Sequence, residues 1–341
     1  MARHALPTRS ASAPRRAALC ALALAVALAA PGCDGTIDDD FSSQLVVSAF
    51  LGTAEPLPEI RLSRTLPLLE PYSDEAAAVS GATVAVSLLA ADGSVEAVVP
   101  YAETRALGLY APQTDATVLE RRTYRLEVTG PDGERLAAET TVPPDFDLVE
   151  GPGDEVPYGI GQGPEVRITR TSTPERQAAF VGSTRALAPD GFEEVTIDGA
   201  IRYRSQNLPD TFRPVPVYQR FLDCEEEGES LVCEENPLQE GVVVGTSPVI
   251  NEASYIDLGD GTILVQIPFL AFGFYGPQSL TLVSLDQAMQ DFVQTQIVQG
   301  GGSTLSPGEI PNVTTNVEGG LGVFGSFSAE TVTTSLVPPS F

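Results

Sequence analysis

Between residues 44 and 142 the chain alternates apolar and polar side chains in short bursts, and this alternation constrains its fold more than any other feature. In "TYRLEVTG", Tyr124, Leu126 and Val128 fall on one side of an extended chain and Arg125 and Glu127 on the other. A period of two is the mark of a strand with one face buried. The runs "QLVVSAFL", "EIRLSRTL", "ATVAVSLLA" and "RLAAETTV" repeat the pattern, separated by turn signals such as Asp92-Gly93 and Pro131-Asp132-Gly133. About seven such strands in roughly 100 residues fit an immunoglobulin-like sandwich.

Pro143-Pro144 ends that unit, and a Gly- and Pro-rich stretch over residues 150–164 separates it from the second half of the chain. The second half is again strand-like, in "EVRITRTS", "QAAFVGSTRAL", "PVYQRFLD", "EGVVVGTS", "TILVQIPFLAF" and "SLTLVSL". One segment departs from the pattern: Leu285, Ala288, Met289, Phe292, Val293 and Ile297 recur at helical spacing. Ser284 is placed to cap its start with Gln287 three residues on, and Gly300-Gly301-Gly302 stops it. The spacing therefore predicts an amphipathic helix over residues 285–299, its apolar face packed on the second domain. The expected fold is all-β: an immunoglobulin-like β-sandwich over 44–143, then a larger β-rich domain over 144–341 with one amphipathic helix.

Upstream, a basic, Ser-rich start carries Arg3, Arg9, Arg15 and Arg16, and an apolar run covers residues 17–30. That run is shorter than the roughly 20 residues a membrane-spanning helix needs. Charged start, short apolar core and small residues have the layout of a secretory signal peptide. Ala30-Pro31-Gly32-Cys33 places small residues immediately before a cysteine, as in a bacterial lipobox. Residues 1–32 are read as a lipoprotein signal peptide, Cys33 as the lipidation site, and 33–43, with its "DGTIDDD", as an acidic tether. The alternative is ordinary cleavage near Ala30, which leaves Cys33 as a free thiol. Acyl chains contribute about 0.8 kcal/mol per methylene, so the diacylglycerol and amide-linked acyl groups expected on Cys33 would anchor the chain permanently to the outer membrane.

Without residues 1–32 the chain carries 15 Arg, no Lys and 46 acidic residues, a formal charge of −31. Such a field repels phosphate backbones and excludes nucleic acid as a partner. His4 is the single histidine and lies in the signal segment. Ser-His-Asp, Cys-His and His-based zinc chemistry are thereby excluded, and no cofactor or metal is expected. The acidic loop "IDLGDGT" at residues 256–262 lacks the ligand ladder of an EF-hand and reads as an Asp-Gly hairpin turn. In an exported protein Cys224 and Cys233 read as a disulfide closing "CEEEGESLVC".

"GLGVFG" at residues 320–325 matches the dinucleotide-binding pattern letter for letter. No helix pattern comes after it and no acid stands about 20 residues on, so the glycines are read as bends and close backbone approaches between strands. In the longer form "TNVEGGLGVFGSFS", with Asn316 before the glycines, the segment resembles the C-terminal signature of an uncharacterised family of bacterial outer-membrane lipoproteins, a domain of unknown function of the 4249 type. "LVVSAFL", "IRLSRTLPLLEP", "GATVAV", "GLY" and "TYRLEV" extend the likeness over nearly the whole chain.

The resemblance implies a non-catalytic, lipid-anchored protein of the cell surface or periplasmic face, accessory to a TonB-dependent receptor through substrate or partner binding. It supplies no catalytic residues and no small-molecule ligand. Two other classes stand beside it: a glycosidase-like secreted hydrolase using two carboxylates, which requires no histidine, and a purely structural or adhesive envelope module.

Overall fold

The computed structural model describes residues 41–67, 70–159, 163–171, 178–187, 193–197, 200–204, 224–227, 230–233, 244–273, 275–301 and 315–339. Within 193–233, at 244 and 252 and over 296–301, the backbone alone is described. Ser43–Phe341 clusters as one compact unit. Among the described residues it is all-β with one long helix.

The predicted alternation becomes seven strands: β1 (Leu45–Gly52), β2 (Ile60–Arg64), β3 (Thr83–Leu89), β4 (Val95–Glu103), β5 (Leu109–Pro112), β6 (Thr123–Thr129) and β7 (Arg135–Thr141). A four-residue helix, α1 (Asp74–Ala77), capped by the Ser73 side chain, interrupts them. Strands β1-β2-β5 form one hydrogen-bonded row and β4-β3-β6-β7 another, β4 pairing β3 from Val95 to Tyr101 and joining β5 through Tyr101–Glu103. First, second and fifth strands against third, sixth and seventh are the A-B-E and C-F-G pairing of an immunoglobulin-like sandwich, with the fourth strand beside the third as a C′ strand is. Tyr124, Leu126 and Val128 enter its core, whereas Glu127 is exposed. Asp92-Gly93 and Pro131-Asp132-Gly133 make turns, with Gly93 at φ 80° and Gly133 at φ 88°.

The second half comprises β8 (Leu148–Glu150), β9 (Glu155–Pro157), β10 (Glu165–Thr169), β11 (Ala179–Ala186), β12 (Glu193–Ile197), β13 (Ala200–Arg204), β14 (Cys224–Glu227), β15 (Ser230–Cys233), β16 (Val244–Thr246), β17 (Ile250–Asn251), β18 (Tyr255–Asp257), β19 (Thr262–Gln266), β20 (Gly276–Leu285), helix α2 (Gln287–Gly301), β21 (Val317–Glu318) and β22 (Leu321–Val337). Rows β8-β10-β19-β18 and β16-β11-β20-β22 enclose a second core. Strand β9 adds in parallel to the far end of β22. This is again the sandwich pairing, now with the hairpins β12–β13 and β14–β15 inserted between its third strand and β16. The run "PVYQRFLD" lies outside the described residues.

The two cores part between Val142 and Phe146, with Pro143 and Pro144 buried between them. Yet the first core is not built from residues 44–143 alone. Val317 and Phe324 belong to it. Strand β22 pairs in parallel with β1 from Leu321 to Phe327, then antiparallel with β20 from Phe327 to Leu336. One 17-residue strand thus belongs to both sandwiches. A local pattern cannot reveal this, because the partners of Phe324 and Leu336 lie far away in sequence.

Candidate functional site

The Gly-rich signature is strand β22, and its glycines are explained by packing. Gly319, at φ 76°, turns β21 into β22, and a Cβ there would strike the Arg135 carbonyl. Gly322, at φ 108°, lies against the Val47 carbonyl of β1. Gly325 faces the Met289 side chain of α2. Positive φ and the missing Cβ are what only glycine supplies without strain. Asn316 pins the arrangement: its Nδ2 donates to Glu139 O (2.9 Å) and Phe324 O (2.7 Å), and its Oδ1 accepts from Phe324 N (3.1 Å). The first core is thereby stitched shut from the C-terminal side.

Helix α2 starts two residues later than its apolar spacing predicts. Ser284 and Leu285 remain in the β20–β22 ladder, opposite Ser328 and Phe327. The cap is Asp286 rather than Ser284: its Oδ1 accepts from Met289 N at 2.7 Å and its backbone C=O from Gln290 N at 3.0 Å. A carboxylate at this position satisfies orphan N–H groups and complements the helix dipole. The other Asp286 oxygen accepts from Thr140 Oγ1, which also contacts Ser326 Oγ at 2.6 Å. All three side chains are buried. The helix packs where the two sandwiches meet: Met289 covers Gly325 of the shared strand, as expected of the second domain, and Phe292 also meets Phe50 of β1 at 6.3 Å between ring centroids. It leaves β20 opposite Phe327 of β22, two residues from Gly325, which opens room for it.

The end of β7, the Pro143-Pro144 linker, the first turn of α2 and Asn316 enclose a cleft of about 590 Å³. That volume lies in the range of small-molecule sites. Its apolar wall is Val142, Pro143, Pro144 and Ala288, and its polar groups include Glu139, Thr140, Thr141, Asp286, Asp291 and Arg121. The acids each have a partner: Glu139 takes Arg125 at 2.6 Å, Asp286 caps α2, and Asp291 accepts from Gln287 Nε2 at 2.8 Å.

Arg121 differs from these groups. Its N–H donates to Val142 O and Val142 N donates to Arg122 O, both at 3.0 Å, so two arginines oppose one valine in a β-bulge. Arg121 sits there at φ 58°, the left-handed region that favours glycine. Its side chain is 60% exposed and, among the described residues, its ion-pair contact is with the exposed Glu120, at 3.5 Å.

The pattern described as Domain of unknown function (DUF4249) matches residues 34–333. The chain belongs to the DUF4249 family. No curated protein matches this DUF4249 chain. Solved structures similar to it include a Salmonella α2-macroglobulin reacted with methylamine (12% identity, TM-score 0.21). That alignment covers 87% of this chain and 15% of that one, so the DUF4249 protein spans a small part of its length. An elastase-activated Escherichia coli α2-macroglobulin gives 12% identity, 87% and 23% coverage and a TM-score of 0.22. DIP-gamma IG1+IG2 gives 10%, 87% and 99%, and 0.17. Likeness at these scores bears on neither fold nor activity.

Of the residues expected to matter in the DUF4249 chain, Cys33, the signal peptide and the acidic stretch 34–40 lie outside the described residues. Cys224 and Cys233 stand directly opposite each other on β14 and β15. The cysteine side chains themselves are outside the described part. "IDLGDGT" forms the β18–β19 hairpin, with Gly259 at φ 75° and Gly261 at φ 87°. Its Asp257 and Asp260 carboxylates are taken by Arg170 and Arg167, each at 2.6 Å. Among the described residues, no three His, Cys, Asp or Glu side chains converge as a metal site. Arg121, Thr140 and Asp286 carry no motif in the DUF4249 sequence. The one local signal is Asp286 three residues before Met289, the spacing of a capping acid.

Proposed function

We propose that this protein is a non-catalytic lipoprotein, anchored through acyl chains on Cys33 to the outer membrane, that assists a TonB-dependent transporter by binding its substrate or the transporter itself. The observation that carries this reading is the cleft at the junction of two sandwiches that share a strand. It combines an apolar wall with polar groups on a scaffold held from both sides, the composition of a binding site. The acids in it are engaged by Arg125, by the helix start and by Gln287, which favours binding over two-carboxylate hydrolysis. The signal layout supports the anchor, and the resemblance carried by the Gly-rich segment is the ground for the partner.

Cys224 and Cys233 form a disulfide in this reading. Their register closes on Glu227 and Ser230, which makes the cysteine pair the third beyond that closing pair. Beyond a two-residue connection the third pair is non-hydrogen-bonded, with Cα atoms about 4.5 Å apart, inside the range a disulfide spans. The bridge would contribute roughly 2.5 to 3 kcal/mol by restricting the unfolded chain.

Two measurements test the proposal. Intact mass of protein from the native host should show an N-terminal acylated cysteine and a mass two hydrogens below the reduced form. Gentle solubilisation should recover a transporter with it. An unacylated terminus at Cys33, or recovery without any receptor under several detergents, refutes the corresponding part.

A further inference from the structure

We propose that the junction cleft binds the C-terminal end of a short, extended peptide with free termini. Its main chain adds to the open edge of β7 and its carboxylate is taken by Arg121. This deepens the accessory-binding reading by naming a ligand class for the same cleft, and it rests on that reading.

Strand β21 pairs with Ala137 and Ala138 of β7 and goes no further along it. Asn316 Nδ2 then takes the Glu139 carbonyl on that same edge. Val142 bonds to Arg121 and Arg122 on the β6 side. Backbone groups alternate between the two edges of a strand, so Thr141, one residue before Val142 and two after Glu139, turns its N–H and C=O toward the cleft. Thr141 lines that cleft. A strand that runs past its partner offers the main-chain ladder to which extended peptides add.

Among the described residues, Arg121 is the cation of the cleft lining that no buried or short ion pair uses, its Glu120 contact being 3.5 Å and exposed. A guanidinium recognises a carboxylate through parallel hydrogen bonds. It is held there by a bulge in which its backbone conformation favours glycine, and strain retained at a cleft mouth marks a position kept for its side chain. Glu139, Asp286 and Asp291 line the same space and disfavour a ligand of net negative charge. A zwitterion satisfies both signs. Val142, Pro143, Pro144 and Ala288 give small apolar side chains a wall to pack on.

The test is calorimetric titration of the full-length, detergent-solubilised protein with trialanine, trialanine amide and N-acetyl-trialanine. Trialanine should bind saturably. The amide should bind at least about tenfold more weakly, the loss of one charged hydrogen bond. N-acetylation should cost less than amidation. Arg121→Gly should abolish the discrimination between acid and amide while its melting temperature stays equal to or above that of the parent, which separates lost recognition from lost folding. Absence of trialanine binding at millimolar concentration, equal affinity for acid and amide, or discrimination that survives in Arg121→Gly overturns the proposal. Peptide binding without any co-purifying transporter refutes the accessory role and leaves the cleft assignment standing. A co-purifying transporter without peptide binding does the reverse.

Discussion

Replacing Asn316 with Ala should destabilise the protein far more than a half-exposed amide on a loop would lead one to expect. Its side chain makes three hydrogen bonds, two given to the carbonyls of Glu139 and Phe324 and one received from Phe324 N. Each is worth about 1 kcal/mol net, and a buried backbone group left without a partner costs about 1–3 kcal/mol. Phe324 is fully buried, so water cannot easily replace Asn316 there. The expected loss is about 3–4 kcal/mol, and an Asn316→Asp variant should lose as much, since a carboxylate would face two carbonyls. Urea unfolding measures the difference from the change in midpoint at constant slope. Hydrogen exchange over residues 315–328 supplies a local readout, and protection there should fall before that of β3 or β6. If both variants lie within about 1 kcal/mol of the parent, Asn316 does not hold β22 to the first sandwich.

Gly322→Ala combines a positive φ with a clash against the Val47 carbonyl. It should cost about 3 kcal/mol or more and lower the yield of folded protein, as measured by thermal melting. Asp286→Ala removes the cap of α2 and a partner of Thr140. The expected loss is about 2 kcal/mol, with Asn at that position retaining most of it, read from far-ultraviolet circular dichroism during urea unfolding. Glu330 has its carboxyl raised above its ordinary 4.5 by burial and then by the nearby Asp145 and Asp147. The folded state therefore holds that proton more tightly than the unfolded one, and stability falls as pH rises from about 4.5 through the raised value. Glu330→Gln should raise the melting temperature at neutral pH, with the gain vanishing below pH about 4.5; a gain independent of pH refutes burial as its cause.

Much of the fold is legible in the sequence because sandwiches are written locally. The alternation in "TYRLEVTG" assigns Tyr124, Leu126 and Val128 to the core, and Asp-Gly pairs mark turns that glycine closes at positive φ. Strands β4 and β5 are harder to read. Strand β4 leaves Val95 and Val98 exposed and crosses from one row to the other, so its pattern has no single inner face. The helix is visible from its spacing, but its start and its contact with the first sandwich are not. The ladder holds Leu285, and only the course of β22 decides that Phe292 also meets β1. The candidate site is the least legible part. Arg121 reads as one more charge before a strand, and its bulge exists only because Val142 lies opposite.

The Gly-rich run that looks most like a functional motif is scaffold. Gly319, Gly322 and Gly325 let three different neighbours approach one strand, namely the β7 backbone, the β1 backbone and the side of α2. Their combined effect is to seat the first part of the C-terminal strand on the first sandwich while its ladder with β20 holds the rest in the second, which fixes the end of β7 relative to the start of α2. That constraint is what a cleft between two sandwiches requires, because a tandem joined only by Pro143 and Pro144 would let its walls move apart. Function therefore depends on that seating indirectly: the glycines create the precision, and the groups facing the space it defines, Arg121 and the edge at Thr141 foremost, supply the chemistry.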